Sequence, residues 1–163
     1  MIKLRELQSD DREWLVRYLN NELVVRYLSS RIPQPYTFND ANWWVEVGSK
    51  QSALVKAITL DEVFCGVVGV YLQEAEYSDA ELGYWVAEDY WNRGIATRAV
   101  TEFTSLVFAT TRIQRIYNPV SKPNLASIKV MEKAGYSLER IVNKAAQHNG
   151  HFYDEYLFAK VRA

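Results

Sequence analysis

The chain has 163 residues, 48% of them apolar, and 19 Lys and Arg against 20 Asp and Glu leave a formal net charge of -1. That balance excludes a protein that coats nucleic acid through a general basic excess, so no direct nucleic-acid partner is expected. The single Cys65, inside the apolar run VFCGVVGVYL, excludes an intrachain disulfide and reads as a small buried hydrophobe in a reducing compartment.

The start, MIKLRELQSDD, alternates like a strand (Ile2, Leu4 and Leu7 against Lys3 and Arg5) and lacks the apolar core of a signal peptide. No apolar run approaches the length of a membrane helix, so a cytoplasmic protein without a membrane partner is expected. Ser9-Asp10-Asp11 offers a helix N-cap before REWLVRYLNNELVVRYL, whose helical spacing breaks at Asn20-Asn21. Pro33 and Pro35 make SSRIPQPYT a loop. FNDANWWVEVGSK resumes a helix, capped near Asn39 or Asp40 and ended near Gly48.

The period then changes. SALVKAITL and VFCGVVGVYL read as strands around an Asp61-Glu62 hairpin turn, and DAELGYWVAE as the next strand. IATRAVTEFTSLVFATT carries a helical apolar stripe, and IQRIYNPV is a short strand. Asn124 caps LASIKVMEKA, and Gly135 stops it. YSLERIV and FYDEYLFAKV close the chain as strands around Asn149-Gly150. The order describes one α+β domain over residues 1–163.

Two segments carry chemistry. At EDYWNRGIATRAV a strand meets a helix through Arg93-Gly94. The first amides of a helix have no partner inside it, the helix dipole adds positive charge there, and a glycine lets an anion approach the backbone. By itself this corner reads as a plain turn, since neither a Walker loop nor a dinucleotide fingerprint is present. The second segment, NLASIKVMEKAGY, sets Asn124 at a helix start with Ser127 one turn in.

Together, RGIA at a helix start and N-x-x-S followed by EKAGY resemble the GCN5-related N-acetyltransferase (GNAT) superfamily, ribosomal-protein alanine/serine acetyltransferase type. Gly94 and Ala96 match the family's first motif, while Trp91 stands where Arg or Gln is usual. IPQPYTFNDANWW, ELGYWV and NGHFYDEYLFA resemble its acceptor-side loop, fourth strand and last strand. The resemblance implies a twisted, mainly antiparallel sheet splayed between its fourth and fifth strands, with flanking helices and acetyl-CoA in the split. It implies the backbone of Tyr84, Trp85 and Val86 along the pantetheine arm. The amides of Arg93, Gly94, Ile95, Ala96 and Thr97, with Asn92 beside them, would hold the pyrophosphate. Asn124 would hold the arm from the other side, and Ser127 would lie near the sulfur.

The implied reaction passes an acetyl group directly to a primary amine and needs no metal. A base must free the amine lone pair, an amide such as that of Val86 must meet the oxyanion, and Ser127 or a nearby tyrosine must meet the leaving sulfur. Glu81 is the first candidate base and His148 the second. The ribosomal-protein relatives place a catalytic glutamate where this chain has Ala146. Tyr36, Trp44 and His148 are candidates for the acceptor pocket. A protein N-terminus is the leading acceptor, a small-molecule amine the alternative, and a non-catalytic acyl-CoA-binding module the rival of a different class. A homodimer is compatible with the aromatic content.

Overall fold

The computed structural model describes residues 1–51, 54–72 and 78–163. Seven strands form one sheet in the order β1-β2-β3-β4-β5-β7-β6, with β1 Ile2–Arg5, β2 Leu54–Leu60, β3 Val63–Leu72, β4 Asp79–Val86, β5 Arg115–Ser121, β6 Ser137–His148 and β7 His151–Val161. All neighbours are antiparallel except β4 and β5. The helices are α1 Arg12–Leu19, α2 Glu22–Val25, α3 Phe38–Trp43, α4 Ser49–Gln51, α5 Ile95–Thr110 and α6 Leu125–Lys133. Ser52 and Ala53 of the expected strand SALVKAITL lie outside the described residues.

Alternation along the strands divides the core in two. Ala80, Leu82 and Val86 of β4, with Val68, Val70, Ile116, Val120 and Phe158, pack against Ala99, Val100, Phe103 and Val107 of α5 and Met131 of α6. On the other face Val55, Ala57 and Val67 meet Leu15, Tyr18 and Leu19 of α1, Val24 of α2 and Ala41 of α3. Both hairpin turns have the positive φ pair that matches strand twist: Asp61 and Glu62 at 48° and 74°, Asn149 and Gly150 at 52° and 79°.

Several boundaries differ from expectation, each for a local reason. The Asp11 carboxylate does not cap α1. It accepts from both Arg5 terminal nitrogens and from the Gln8 amide, each at 2.8 Å, so it ties β1 to the following turn. The cap of α3 is Thr37, whose hydroxyl accepts from the Asp40 amide while Asp40 reaches back to the Thr37 amide. Beyond Trp43 the chain widens into a π-helical turn, Trp44–Gly48, and runs on through α4. A Cβ at Gly48 would lie 2.5 Å from the Trp43 ring, so this glycine makes room for the indoles rather than ending the helix. β6 runs well past YSLERIV to His148, with bulges between Leu138 and Arg140 and between Val142 and Ala146.

Candidate active site

β4 and β5 are bonded only at Asp79–Arg115, Ala80–Ile116 and Glu81–Tyr117. Past Glu81 the two strands separate, although β4 continues to Val86 and β5 to Ser121. The pair is parallel, so both open edges diverge in the same direction and leave a wedge between them. Tyr117 therefore stands at the root of the split and not at the end of its strand.

Alternation sends the residues of β4 to opposite faces of this wedge. Tyr84 packs beside the α5 core, while Trp85 lies in the other core, edge-on to Tyr18 at 6.2 Å and Phe64 at 6.1 Å. The Trp85 side chain is thus structural. The Val86 carbonyl accepts from the Trp91 indole at 2.7 Å, so one of its lone pairs is already engaged.

Beyond β4 the chain turns into α5. Asn92 has φ 63° and Gly94, the N-cap residue, φ 73°. Two left-handed residues so close wrap the backbone into a concave turn. A Cβ on Gly94 would meet nothing within 4 Å, so the space above it is open. The first turn of α5 contains no acidic residue. Asn92, Arg93 and Gly94 are exposed, Ala96 and Thr97 half-buried, and Ile95 buried as the first core contact of the helix. Arg93 sits 5.4 Å from the Tyr90 ring centroid, and Arg98 pairs with Glu102 at 3.2 Å. An open left-handed turn at a helix N-terminus with no competing carboxylate in its first turn fits a diphosphate.

Asn124 begins α6 across the wedge, its side chain accepting from the Ser127 amide at 3.3 Å. The Ser127 hydroxyl lies 2.6 Å from the Tyr84 hydroxyl. Burial pushes the Tyr84 phenol up to about 12, more than the Ser127 bond lowers it, so it remains protonated at neutral pH. Sequence spacing did not reveal this pair, because the hydroxyls are 43 residues apart and meet only through the sheet.

The opposite face of β4, β5, β7 and β6 bears a cleft of ≈ 460 Å³, lined by Glu81, Tyr117, Glu155 and Arg140 among others. Half-buried Glu81 has its carboxyl raised above the ordinary range, first by burial and then by Glu155, with Arg31 opposing. At one end Arg115 bonds Asp79 at 3.0 Å and Glu139 at 3.2 Å, so its charge is fully engaged by the two carboxylates. Further along β5, where Ser121 pairs with Glu155, His148 Nε2 and the buried Ser121 hydroxyl are 2.7 Å apart, and the Tyr27 ring stands edge-on to the imidazole at 5.3 Å. Burial lowers the His148 pKa from its ordinary value, with Glu155 acting the other way.

The structure brings Glu81, Tyr117, Glu155, Ser121 and His148 to one face and Tyr84, Asn124 and Ser127 to the other side of the split. It does not bring Tyr36 to the cleft: that ring is buried beside α1 and α3, with its amide held by Asn20. Of the paired indoles, Trp43 is exposed and Trp44 half-buried against the same core, so neither is fully enclosed. Cys65 is fully buried, and desolvation raises its thiol to about 11, which removes it as a nucleophile. Sequence reasoning passed over Tyr27 and Ser121. Their alignment depends on strand register and loop packing.

The acetyltransferase (GNAT) domain family model matches residues 2–137, most of the chain. The chain belongs to the GNAT acetyltransferase family. It is an N-acetyltransferase, and among its relatives is the L-amino acid N-acetyltransferase AaaT of Escherichia coli, 26% identical over 99% of this chain and 98% of that protein. The GNAT fold is shared with the microcin C7 self-immunity acetyltransferase MccE, solved with acetyl-CoA and AMP. That likeness has a TM-score of 0.85 and 22% identity, covering 99% of this chain and 92% of that one. It is shared equally with RimL, the ribosomal L7/L12 alpha-N-protein acetyltransferase, solved with coenzyme A. The TM-score there is 0.84 at 19% identity, over 98% of this chain and 93% of that one. Among the described residues, no helix is long and apolar enough to cross a membrane.

Proposed function

We propose that this GNAT enzyme transfers the acetyl group of acetyl-CoA directly to the amine of a protein N-terminus. The observation that carries the reading is the β4–β5 split, with an open anion cradle and the Tyr84–Ser127 pair toward one face and the Glu81 cleft on the other. The diphosphate rests on the amides of Arg93 through Thr97, the arm follows the backbone of β4, and Asn124 holds it from α6. This arrangement aligns both substrates in one complex, so no covalent enzyme intermediate is required.

Glu81 takes the proton of the incoming ammonium, directly or through water. Its raised carboxyl is a stronger base than an ordinary one, which narrows the gap to the amine. The nitrogen then attacks the thioester carbonyl, a C–N bond forms, the C–S bond breaks with its electron pair going to sulfur, and the second proton leaves the nitrogen to solvent water. His148, held by Ser121, and Tyr27 line the acceptor's path.

A small-molecule amine is the second reading, favoured by the likeness to AaaT and by Ala146 at the place where ribosomal-protein enzymes carry glutamate. A binding-only module would have no use for a base-strengthened Glu81. Thiol release from acetyl-CoA, measured against N-terminal peptides, free amino acids and polyamines, tests these readings. Turnover confined to free amino acids favours the second. Firm cofactor binding without turnover on any acceptor favours the binding module.

A further inference from the structure

The mechanism above leaves Tyr84 with a backbone role only, yet its side chain makes a hydroxyl contact across the split. The half-buried Tyr84 hydroxyl lies 2.6 Å from Ser127 Oγ. The two residues come from the two walls of the wedge, β4 and the helix that follows β5. Ser127 is held twice. Its amide donates to the Asn124 side chain, and its hydroxyl meets Tyr84.

A serine hydroxyl has one hydrogen and two lone pairs, and its hydrogen rotates to suit its neighbours. A phenol is the more acidic of two hydroxyls and so the better donor. With Tyr84 donating, a Ser127 lone pair is occupied and the serine's own hydrogen is released for another acceptor.

We propose that Tyr84 is a positioning residue: its phenol donates to Ser127 Oγ and so aims the serine hydrogen at the thioester sulfur as it departs. This inference rests on the acetyl-CoA reading of the split. It assigns hydrogen bonding and not proton transfer. As the C–S bond breaks, its electron pair stays on sulfur and the thiolate accepts the Ser127 hydrogen bond. Both hydroxyls keep their protons, because a buried phenol at about 12 is a weaker acid than a thiol with an ordinary pKa of about 8.5. Cofactor affinity comes mainly from the diphosphate and the arm, so the pair acts on the charged sulfur more than on binding.

The test uses coenzyme A alone and reads the sulfur. The thiol of bound coenzyme A is titrated by its thiolate absorbance in the wild type, Tyr84→Phe, Ser127→Ala and the double variant, with affinity measured by calorimetry at neutral pH. The expected result is a bound-thiol pKa below that of free coenzyme A in the wild type. It should rise in Tyr84→Phe and in Ser127→Ala, with no further rise in the double variant and affinities within about threefold. In turnover, Tyr84→Phe should lower kcat by about tenfold, corresponding to about 1.4 kcal/mol, with KM for acetyl-CoA nearly constant. An unchanged thiol pKa in Tyr84→Phe overturns the proposal, as does an effect of Tyr84→Phe that persists undiminished in the Ser127→Ala background. An affinity loss matching the kcat loss also overturns it, since that marks a merely structural tie across the wedge. Failure of the wild type to bind coenzyme A would instead refute the cofactor reading.

Discussion

Glu81 of β4 stands opposite Tyr117 of β5 at the last bonded rung between the two strands. One residue further on, the sheet opens. The proposed base is thus anchored by paired backbone at the root of the wedge while its side chain faces the cleft.

Glu81→Gln should lower kcat by about a hundredfold and leave coenzyme A affinity unchanged, as steady-state kinetics and calorimetry can report. The same change should raise the melting temperature at neutral pH. A carboxyl with a raised folded pKa binds its proton more tightly in the folded state than in the unfolded chain. Its contribution is therefore fully present below the unfolded value and lost as pH rises through the folded one. A glutamine removes that loss. Wild-type turnover across pH would exclude Glu81 from the chemistry.

Glu155→Gln should move the acidic limb of the rate profile to lower pH. Burial is the larger cause of the raised Glu81 carboxyl, and the Glu155 charge is the second. Removing that charge eases ionisation of Glu81, so activity should persist further into acid. A limb that stays in place would mean another group sets it.

Gly94→Val should weaken coenzyme A binding by about tenfold or more and cost about 1–2 kcal/mol of stability by placing a β-branched residue at positive φ. The Cβ itself meets only open space, so a clash within the protein does not contribute. Calorimetry separates the effects, since strain lowers stability without cofactor, whereas a blocked cradle appears only in affinity. Undiminished affinity would remove the diphosphate from this turn.

Asn124 caps α6 and is proposed to hold the cofactor arm, and one substitution pair can divide the two roles. Asn124→Ala should cost about 1 kcal/mol by removing the α6 cap and should weaken coenzyme A binding. Asn124→Ser retains a capping oxygen, so stability should be close to wild type while affinity still falls. Equal affinities in the wild type and Asn124→Ser would leave the cap as its whole role.

Asp11→Ala should destabilise the chain by about 3 kcal/mol in denaturant melts, because the buried carboxylate accepts from Arg5 twice and from the Gln8 amide. Intrinsic kinetics of the surviving folded fraction should be unchanged. A matching loss of kcat would link the β1 turn to the site.

Local features were legible because their causes are local. Period-two alternation marked β1 and β4, β-rich apolar runs marked β2 and β3, the apolar stripe marked α5, and Asn124 and Gly135 bounded α6 through cap geometry that depends on nearby residues. Gly94 was legible in the same way: the corner needs a residue at positive φ. The cap of α3 was misplaced because Thr37, Asn39 and Asp40 are all competent caps, and only the reciprocal bonds choose Thr37.

By itself, then, the sequence determined the order of the main elements, the glycine turn at Gly94, the Asn124–Ser127 helix start and the family resemblance. Only the tertiary structure decided which side chains meet. Tyr84 reaches Ser127, Glu155 approaches Glu81, and Ser121 holds His148, while Tyr36 turns into the core. The physical reason is register: a one-residue shift in a strand moves a side chain to the other face. Periodicity can assign a residue to a strand. Which face it takes at an open split, and what stands opposite, depends on strand pairings formed across long stretches of chain.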